Sequence, residues 1–313
     1  MSRLVVLGSV NVDATSYVDE FPAPGETIHS HDYRVSLGGK GSNQAIAAHL
    51  SGADVTFVAR LGDDPAAEVA RAAFARFALP ADGIATVSGT PTGVAQITVA
   101  ATGENTIVVT AGANASVGPE VVAAEAQRIE AADVVLTQGE LPVATIDALA
   151  RACNAAATRF VLNLAPPVGV SAHAMAVADP LVVNVHEARA VAIGASLTDD
   201  AEVDAWRDAA ASVVLGGLAR SVVVTLGARG AVAADAAGAW AVPAPEVDPV
   251  DTTGAGDAAT GTLAAMLAEG RTLSDAVRAA VAAGAIAVGS RGTVDSYAGR
   301  AEVLALADRM DHR

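Results

Sequence analysis

A single cysteine, Cys153, and a single lysine, Lys40, stand among the 313 residues. One thiol cannot close a disulfide within the chain or build a thiolate metal cluster, which suits a reducing cytoplasm. Its place inside a helical pattern reads as a small core residue. Aromatic residues are scarce as well, at 3% against 52% hydrophobic overall, so the apolar content is mainly Ala, Val, Leu and Ile, as helices packed on sheets require. Base is short: Lys plus Arg number 19 against 35 Asp plus Glu, for a formal net charge of −16. That sign excludes an electrostatic nucleic-acid footprint and speaks against anionic lipid. The longest uncharged apolar run, 279–290, is too short to cross a bilayer, and the N-terminal LVVLGSVNVD turns polar before any cleavage-like site. The expectation is a soluble cytoplasmic protein with no membrane or nucleic-acid partner.

What is abundant is alternation. β-Branched runs at 4–7, 55–59, 134–137, 160–164, 181–184 and 221–226 alternate with Ala-rich amphipathic stretches at 42–50, 66–77, 119–130, 143–157 and 203–215. This predicts an α/β fold, a doubly wound, mostly parallel sheet with helices on both faces. Two segments break the rhythm, 15–35 and 92–110; the second, GVAQITVAATGENTIVV, alternates like a hairpin turning at 102–105. They predict a small antiparallel β lid inserted into one domain spanning 1–313, since no Pro-, Gly- or Ser-rich linker divides the chain. From Thr253 onward the pattern is helical, through 255–269, 273–288 and 301–309.

The sharpest chemical signal is Asp251-Thr-Thr-Gly-Ala-Gly-Asp257 at the head of one of these helices. Gly254, Ala255 and Gly256 let backbone N–H groups approach an anion, and the helix dipole adds partial positive charge there. Phosphate would repel a carboxylate beside such a hole, so Asp257 is expected to handle a proton or a hydroxyl. Simple helix capping by Thr253 and Asp257 is the competing reading. Gly254, Gly256 and Ala259 also fit G-x-G-x-x-A, but 246–251 carries acids and a proline where a buried strand should precede that fingerprint. No G-x-x-x-x-G-K-[ST] exists, because Lys40 is followed by Gly41 and Ser42, which excludes a P-loop ATPase.

The only lysine lies in a second glycine-rich cluster, Gly38-Gly-Lys-Gly-Ser-Asn43, leading straight into a helix. With it goes Asn11-Val-Asp13, read as the end of the first strand, where open α/β sheets place ligand groups. These side chains suit hydroxyls, though strand-end Asn and Asp also form turns.

Asn11-Val-Asp13, GGKGSNQA from Gly38, Asn184 with Glu187, TLGARG from Thr225, and DTTGAGD together resemble the ribokinase family of carbohydrate kinases, in order and over nearly the whole chain. The resemblance implies transfer of the ATP γ-phosphoryl group to a sugar hydroxyl, with the 5-hydroxyl of ribose as the expected acceptor. It implies sugar contacts at Asn11, Asp13, Gly39, Lys40, Gly41, Asn43 and Glu140, a catalytic base at Asp257, and an anion hole at Gly254, Ala255 and Gly256. It implies a nucleotide site at Asn184, Thr225, Leu226, Gly227, Ala228, Arg229 and Gly230, with Glu187 helping to hold Mg²⁺ through water. An activating K⁺ would take the Asp251 side chain and carbonyls of Thr253, Ala287, Ser290 and Gly292, with Ser296 nearby. A homodimer through the lid sheet is implied too.

Departures from the family pattern are few. The usual Asn-Pro-Ala-Pro reads Asn163-Leu-Ala-Pro166, and Val281 stands where some members place a histidine against adenine. Kinases for deoxyribose, a nucleoside or another sugar share the frame. A non-catalytic sugar-binding regulatory protein is the alternative from another class, and the intact Asp257 and glycines count against it. No histidine falls in a motif; His29 and His31 are expected on one face of a lid strand, with no third metal ligand in view.

Overall fold

The computed structural model describes residues 3–310. Its strands are β1 (Arg3–Leu7), β2 (Asn11–Val18), β3 (Asp32–Gly38), β4 (Asp54–Leu61), β5 (Ile84–Thr86), β6 (Gly93–Ala100), β7 (Asn105–Thr110), β8 (Val134–Gln138), β9 (Arg159–Asn163), β10 (Leu181–Asn184), β11 (Val222–Thr225), β12 (Ala231–Asp235) and β13 (Gly238–Val242). The helices are α1 (Lys40–Leu50), α2 (Pro65–Arg76), α3 (Pro119–Ala124), α4 (Ala126–Ala131), α5 (Val143–Ala156), α6 (Ala172–Val177), α7 (Val185–Ala190), α8 (Val203–Leu215), α9 (Ala255–Ala268), α10 (Leu273–Ala287) and α11 (Arg300–Met310).

Nine strands form one sheet in the order β13-β12-β11-β10-β9-β8-β1-β4-β5. All neighbours are parallel except β11 with β12 and β12 with β13. Strand alternation sends Leu4 and Val6 to one face, with apolar residues of α1, α2, α9 and α10, and Val5 and Leu7 to the other, with α5, α6 and α8. Fully buried on that second side, Cys153 has its thiol pushed up to about 12 by desolvation, as a core residue should. Among the described residues no helix is long and apolar enough to cross a membrane.

Three local expectations are corrected. The helix read over 119–130 breaks at Glu125, so that Val121 and Val122 of α3 and Ile129 of α4 reach one core layer. The β12–β13 hairpin is absent from the sequence reading because its strands are Ala-rich, although Asp235 and Gly238 bracket its Ala236-Ala237 turn and the Asp235 carboxylate accepts the Ala237 N–H at 2.8 Å. His29 lies before β3 and His31 just outside it, so the two do not share a strand face.

The lid strands form a second sheet, β3-β2-β6-β7. It is mixed, because β2 and β6 run parallel. The chain between β3 and β6 passes through α1, β4, α2 and β5 in the main layer and re-enters the lid on the far side of β2, antiparallel to β3 and therefore parallel to β2.

Chain order reverses between β1 and β8, so a crevice opens beyond their carboxyl ends, the usual place for a ligand in such sheets. Over this crevice α1 packs on α9. Their approach requires Gly261, where a Cβ would lie 2.3 Å from the Gln44 carbonyl oxygen and 2.7 Å from the Ala47 Cβ. Gly261→Ala should therefore push the helices apart and lower stability by about 1 to 3 kcal/mol, the usual cost of overpacking, read from urea unfolding of the two proteins. An unchanged midpoint would show that the helix pair yields freely.

Candidate active site

At the head of α9, Gly254 is the N-cap, with φ of 76°, and no side chain caps the helix. The capping alternative for Thr253 and Asp257 thus fails. A side chain at Gly254 would be strained by that φ, and would also meet the Thr293 Cγ2 at 2.4 Å. The N–H groups of Gly256 and Asp257 make no hydrogen bond among the described residues, while that of Ala255 reaches the Thr252 carbonyl at 3.3 Å. Open space faces Gly256, where a Cβ would meet nothing within 4 Å. Unpaired donors at a helix N-terminus facing an open volume form an anion site.

Asp257 itself is buried, and amides hold both its oxygens: Asn43 Nδ2 donates to Oδ2 at 2.9 Å and Gln44 Nε2 to Oδ1 at 2.8 Å. Asn43 and Gln44 come from the first turn of α1, whose N-cap Gly39 has φ of 89°. The Asn43 Oδ1 is buried without a partner, an acceptor awaiting a donor such as a hydroxyl.

Glu140, just beyond β8, accepts from Ser9 Oγ at 2.5 Å and from the Lys40 backbone N–H at 2.9 Å through the same oxygen, Oε2. Burial alone would lower the Lys40 ammonium, but the carboxylates of Asp257, Glu140 and Glu187 outweigh it and hold that group above its ordinary range. Asn11 and Asp13 do not end β1, as the sequence reading had it: β1 stops at Leu7, and both residues belong to β2 of the lid. The Asp13 carboxyl folds over Gly38, so close that a Cβ there would fall 2.1 Å from Oδ1. The Asn11 Oδ1 accepts from Asn114 Nδ2 at 2.9 Å, while its amide N–H donors are left for a ligand. Gly41 packs on Ser9, whose Oγ accepts its N–H at 3.1 Å.

Farther along the crevice, Asn184 caps α7: its Oδ1 accepts from the His186 and Glu187 N–H groups, and Glu187 Oε2 accepts the Asn184 N–H at 2.8 Å. Burial raises the Glu187 carboxyl above its usual range, aided by Asp257 and opposed by the Asn184 N–H and Lys40. Thr225 ends β11, and Leu226, Gly227, Ala228, Arg229 and Gly230 turn the chain into β12. The Arg229 guanidinium donates to the carbonyls of Asp199 and Ala201, both at 2.5 Å, so it pins the loop before α8.

On the far side of the DTTGAGD loop, Asp251 accepts the N–H groups of Thr253 at 2.9 Å and Gly292 at 3.1 Å. Burial would raise this carboxyl, but these bonds, the Thr253 hydroxyl and Arg291 hold it below the ordinary range. Ala287 closes α10, where carbonyls lack helical partners, and Ser290, Gly292 and Ser296 follow, with Ser296 Oγ bonded to the Thr293 carbonyl at 2.7 Å. A carboxylate among backbone carbonyls is a hard-oxygen set that suits an alkali cation. No group of three or more His, Cys, Asp or Glu able to hold a metal occurs among the described residues. A carboxylate such as Glu187 suits a Mg²⁺ that would be held mainly by water and phosphates.

Sequence reasoning missed Ser9, Asn114, Gln44, Gln138 and Asn163. Gln44 lay in the GGKGSNQA motif and Asn163 in the altered Asn-Leu-Ala-Pro; Ser9 and Asn114 lie in no motif.

The chain matches the pfkB family carbohydrate kinase profile over residues 1–298, and it belongs to that family. Within it, the chain is a ribokinase-type phosphotransferase. It is 35% identical to a ribokinase of Haemophilus influenzae over 301 residues, covering 96% of this chain and 97% of that one. It is 30% identical to a deoxyribokinase of Salmonella typhi, covering 94% and 95%. The fold superposes on an Arabidopsis thaliana ribokinase complexed with ribose and ATP with a TM-score of 0.86, at 28% identity and 98% coverage of both chains.

Asp13 carries a measurable consequence of this crowding. Burial, then Glu140 and Asp257, raise its carboxyl to about 7 from 3.8. A carboxyl raised on folding lowers stability as pH climbs from the unfolded value to the folded one, since over that range the unfolded chain ionises while the native state still holds the proton. Asp13→Asn should accordingly gain stability over the parent at pH 8 and lose that advantage toward pH 4, as followed by thermal unfolding across that range.

Proposed function

We propose that the protein transfers the γ-phosphoryl group of ATP to the 5-hydroxyl of D-ribose, giving ribose 5-phosphate and ADP. One observation carries the reading: a buried carboxylate, Asp257, is fixed by two amides beside unpaired helix N–H groups that face open space. The hydroxyl oxygen bonds to the γ-phosphorus as the bond to the β–γ bridging oxygen breaks, and the hydroxyl proton passes to Asp257. Asp257 already accepts two hydrogen bonds that fix its direction, and a loose transition state suits a carboxylate held in this way. With little bond formed to the nucleophile, the proton leaves late and orientation counts for more than base strength. The Gly256 and Asp257 N–H groups lie where charge develops on the transferred group, a role worth about 3 to 4 kcal/mol per well-placed donor in other enzymes.

The sugar subsite follows from donors and acceptors. Asn43 Oδ1 offers a vacant acceptor, Asp13 offers two oxygens, and Asn11 has donors left, a set that suits vicinal hydroxyls. The ribose and ATP bound by the Arabidopsis relative support the same pair of substrates here. Glu187 would hold Mg²⁺ through water, and Asp251 with the carbonyls of Thr253, Ala287, Ser290 and Gly292, and Ser296 nearby, would hold K⁺. When bound, the divalent ion neutralises phosphate charge and the monovalent ion stiffens the 251–256 loop. Exposed Tyr33, Val35, Ile107, Val108 and Val109 on the lid sheet support a homodimer formed there.

Asp257→Asn should lower kcat at least about a hundredfold, the loss typical of a positioned base, while ribose binding by calorimetry persists. Near-parental turnover in the purified variant would remove the base from this residue.

A panel of ribose, 2-deoxyribose, other sugars and nucleosides assayed with ATP tests the acceptor. A site built to pair a hydroxyl discriminates against the analogue lacking it, so ribose should exceed 2-deoxyribose in kcat/KM by about tenfold or more. Asn11→Ala should narrow that gap mainly by harming ribose. Faster turnover of deoxyribose or a nucleoside would keep the kinase and replace the substrate.

A further inference from the structure

Beneath Asp257 lies a chain of buried amides with a fixed direction. Gln44 Nε2 donates both to Asp257 Oδ1 and to Asn163 Oδ1, each at 2.8 Å, and Gln138 Nε2 donates to Gln44 Oε1 at 2.9 Å. Asn163 Nδ2 in turn donates to the Val182 carbonyl at 3.1 Å. The two ends of this network, the Asp257 carboxylate and a backbone carbonyl, can only accept. Gln44 must therefore aim its NH₂ at Asp257 and its oxygen at Gln138, and Gln138 must present its own NH₂. Nothing is left to satisfy the Gln138 Oε1, which is buried without a partner. It lies against Gly8, where a Cβ would fall 2.5 Å away, so only a glycine C–H can face it. An unsatisfied buried acceptor costs stability. Here it is the consequence of the direction imposed on the two amides before it.

We propose that Gln44 and Gln138 are positioning residues, a directional amide relay running from the end of β8 to the base, which fixes the Asp257 carboxylate with a lone pair toward the acceptor hydroxyl. This rests on the reading of Asp257 as the base. The titratable groups facing that carboxylate from neighbouring elements are Lys40 on α1, Asp13 on β2, Glu187 on α7 and Tyr297 after α10; Glu140, two residues beyond Gln138, acts on Asp13 and Lys40.

The test is to reverse the relay. In Gln138→Glu the protonated side chain still donates to Gln44, whereas the ionised one only accepts and draws the Gln44 NH₂ away from Asp257. The pH profile of kcat, measured with the best acceptor of the sugar panel, should acquire an alkaline limb absent from the parent. Above that limb kcat should fall about tenfold or more, as misorientation of a reacting group does, with KM for the sugar changed far less. Gln138→Met, which keeps the volume without a donor, should lose kcat similarly at every pH and show no new limb. Should Q138E not fold, the kcat of Q138M decides. A purely structural role would lower the unfolding temperature of either variant while leaving kcat and its pH profile as in the parent. That result, with Asp257→Asn inactive in the same assay, would overturn the relay alone. An active Asp257→Asn would overturn the base and the relay with it.

Discussion

The rest of the site depends on the pinning of one carboxylate between two helices. Asp257 stands in the first turn of α9, and the amides that hold it come from the first turn of α1. Those two turns meet because Gly261, one helical turn further along α9, lets the backbone of α1 lie against it. The same approach puts the open face of the α9 N-terminus beside the unpartnered Asn43 oxygen, so a fixed carboxylate, unpaired N–H donors and a vacant acceptor share one small volume. In a close-packed interior, a shift of either helix moves all three together.

Electrostatics in this volume is deliberately unbalanced. Glu140, Glu187 and Asp257 act on the single lysine, and burial, with neighbouring carboxylates adding to it, raises the carboxyls of Asp13 and Glu187. A protein of net charge −16 that must take up an anionic nucleotide cannot rely on long-range attraction. Its anion site is instead local, made of helix N–H groups that carry partial positive charge without a formal cation. Excess carboxylate next to that site is the condition under which cations bound with the nucleotide have most to neutralise.

The lid has a different logic. Asn11 and Asp13 ride on β2 of the lid, outside the main sheet, whereas Asp257 stands on α9, packed against α1. Asn114 ties that strand back to the scaffold by clasping the backbone of Val10 and the side chain of Asn11. The two layers meet over Gly38 and Gly39, which the Asp13 carboxyl and the Asn11 backbone approach closely.

Layer architecture and the principal motifs were legible in the sequence because each rests on short-range pattern. Runs such as Val134–Gln138 and Leu181–Asn184 announce buried parallel strands, and DTTGAGD announces a helix N-terminus, from neighbouring residues alone. The sole lysine pointed to its own loop by its rarity. Only the tertiary structure decided that Asn11 and Asp13 belong to the lid, that the Arg229 side chain is committed to a loop, and that Asn114, Gln138 and Asn163 serve the site at all. Those residues come from five separate stretches of chain. A hydrogen bond between Gln138 and Gln44 spans 94 positions, and no local propensity or spacing encodes a direction of donation that is set by acceptors at its two far ends.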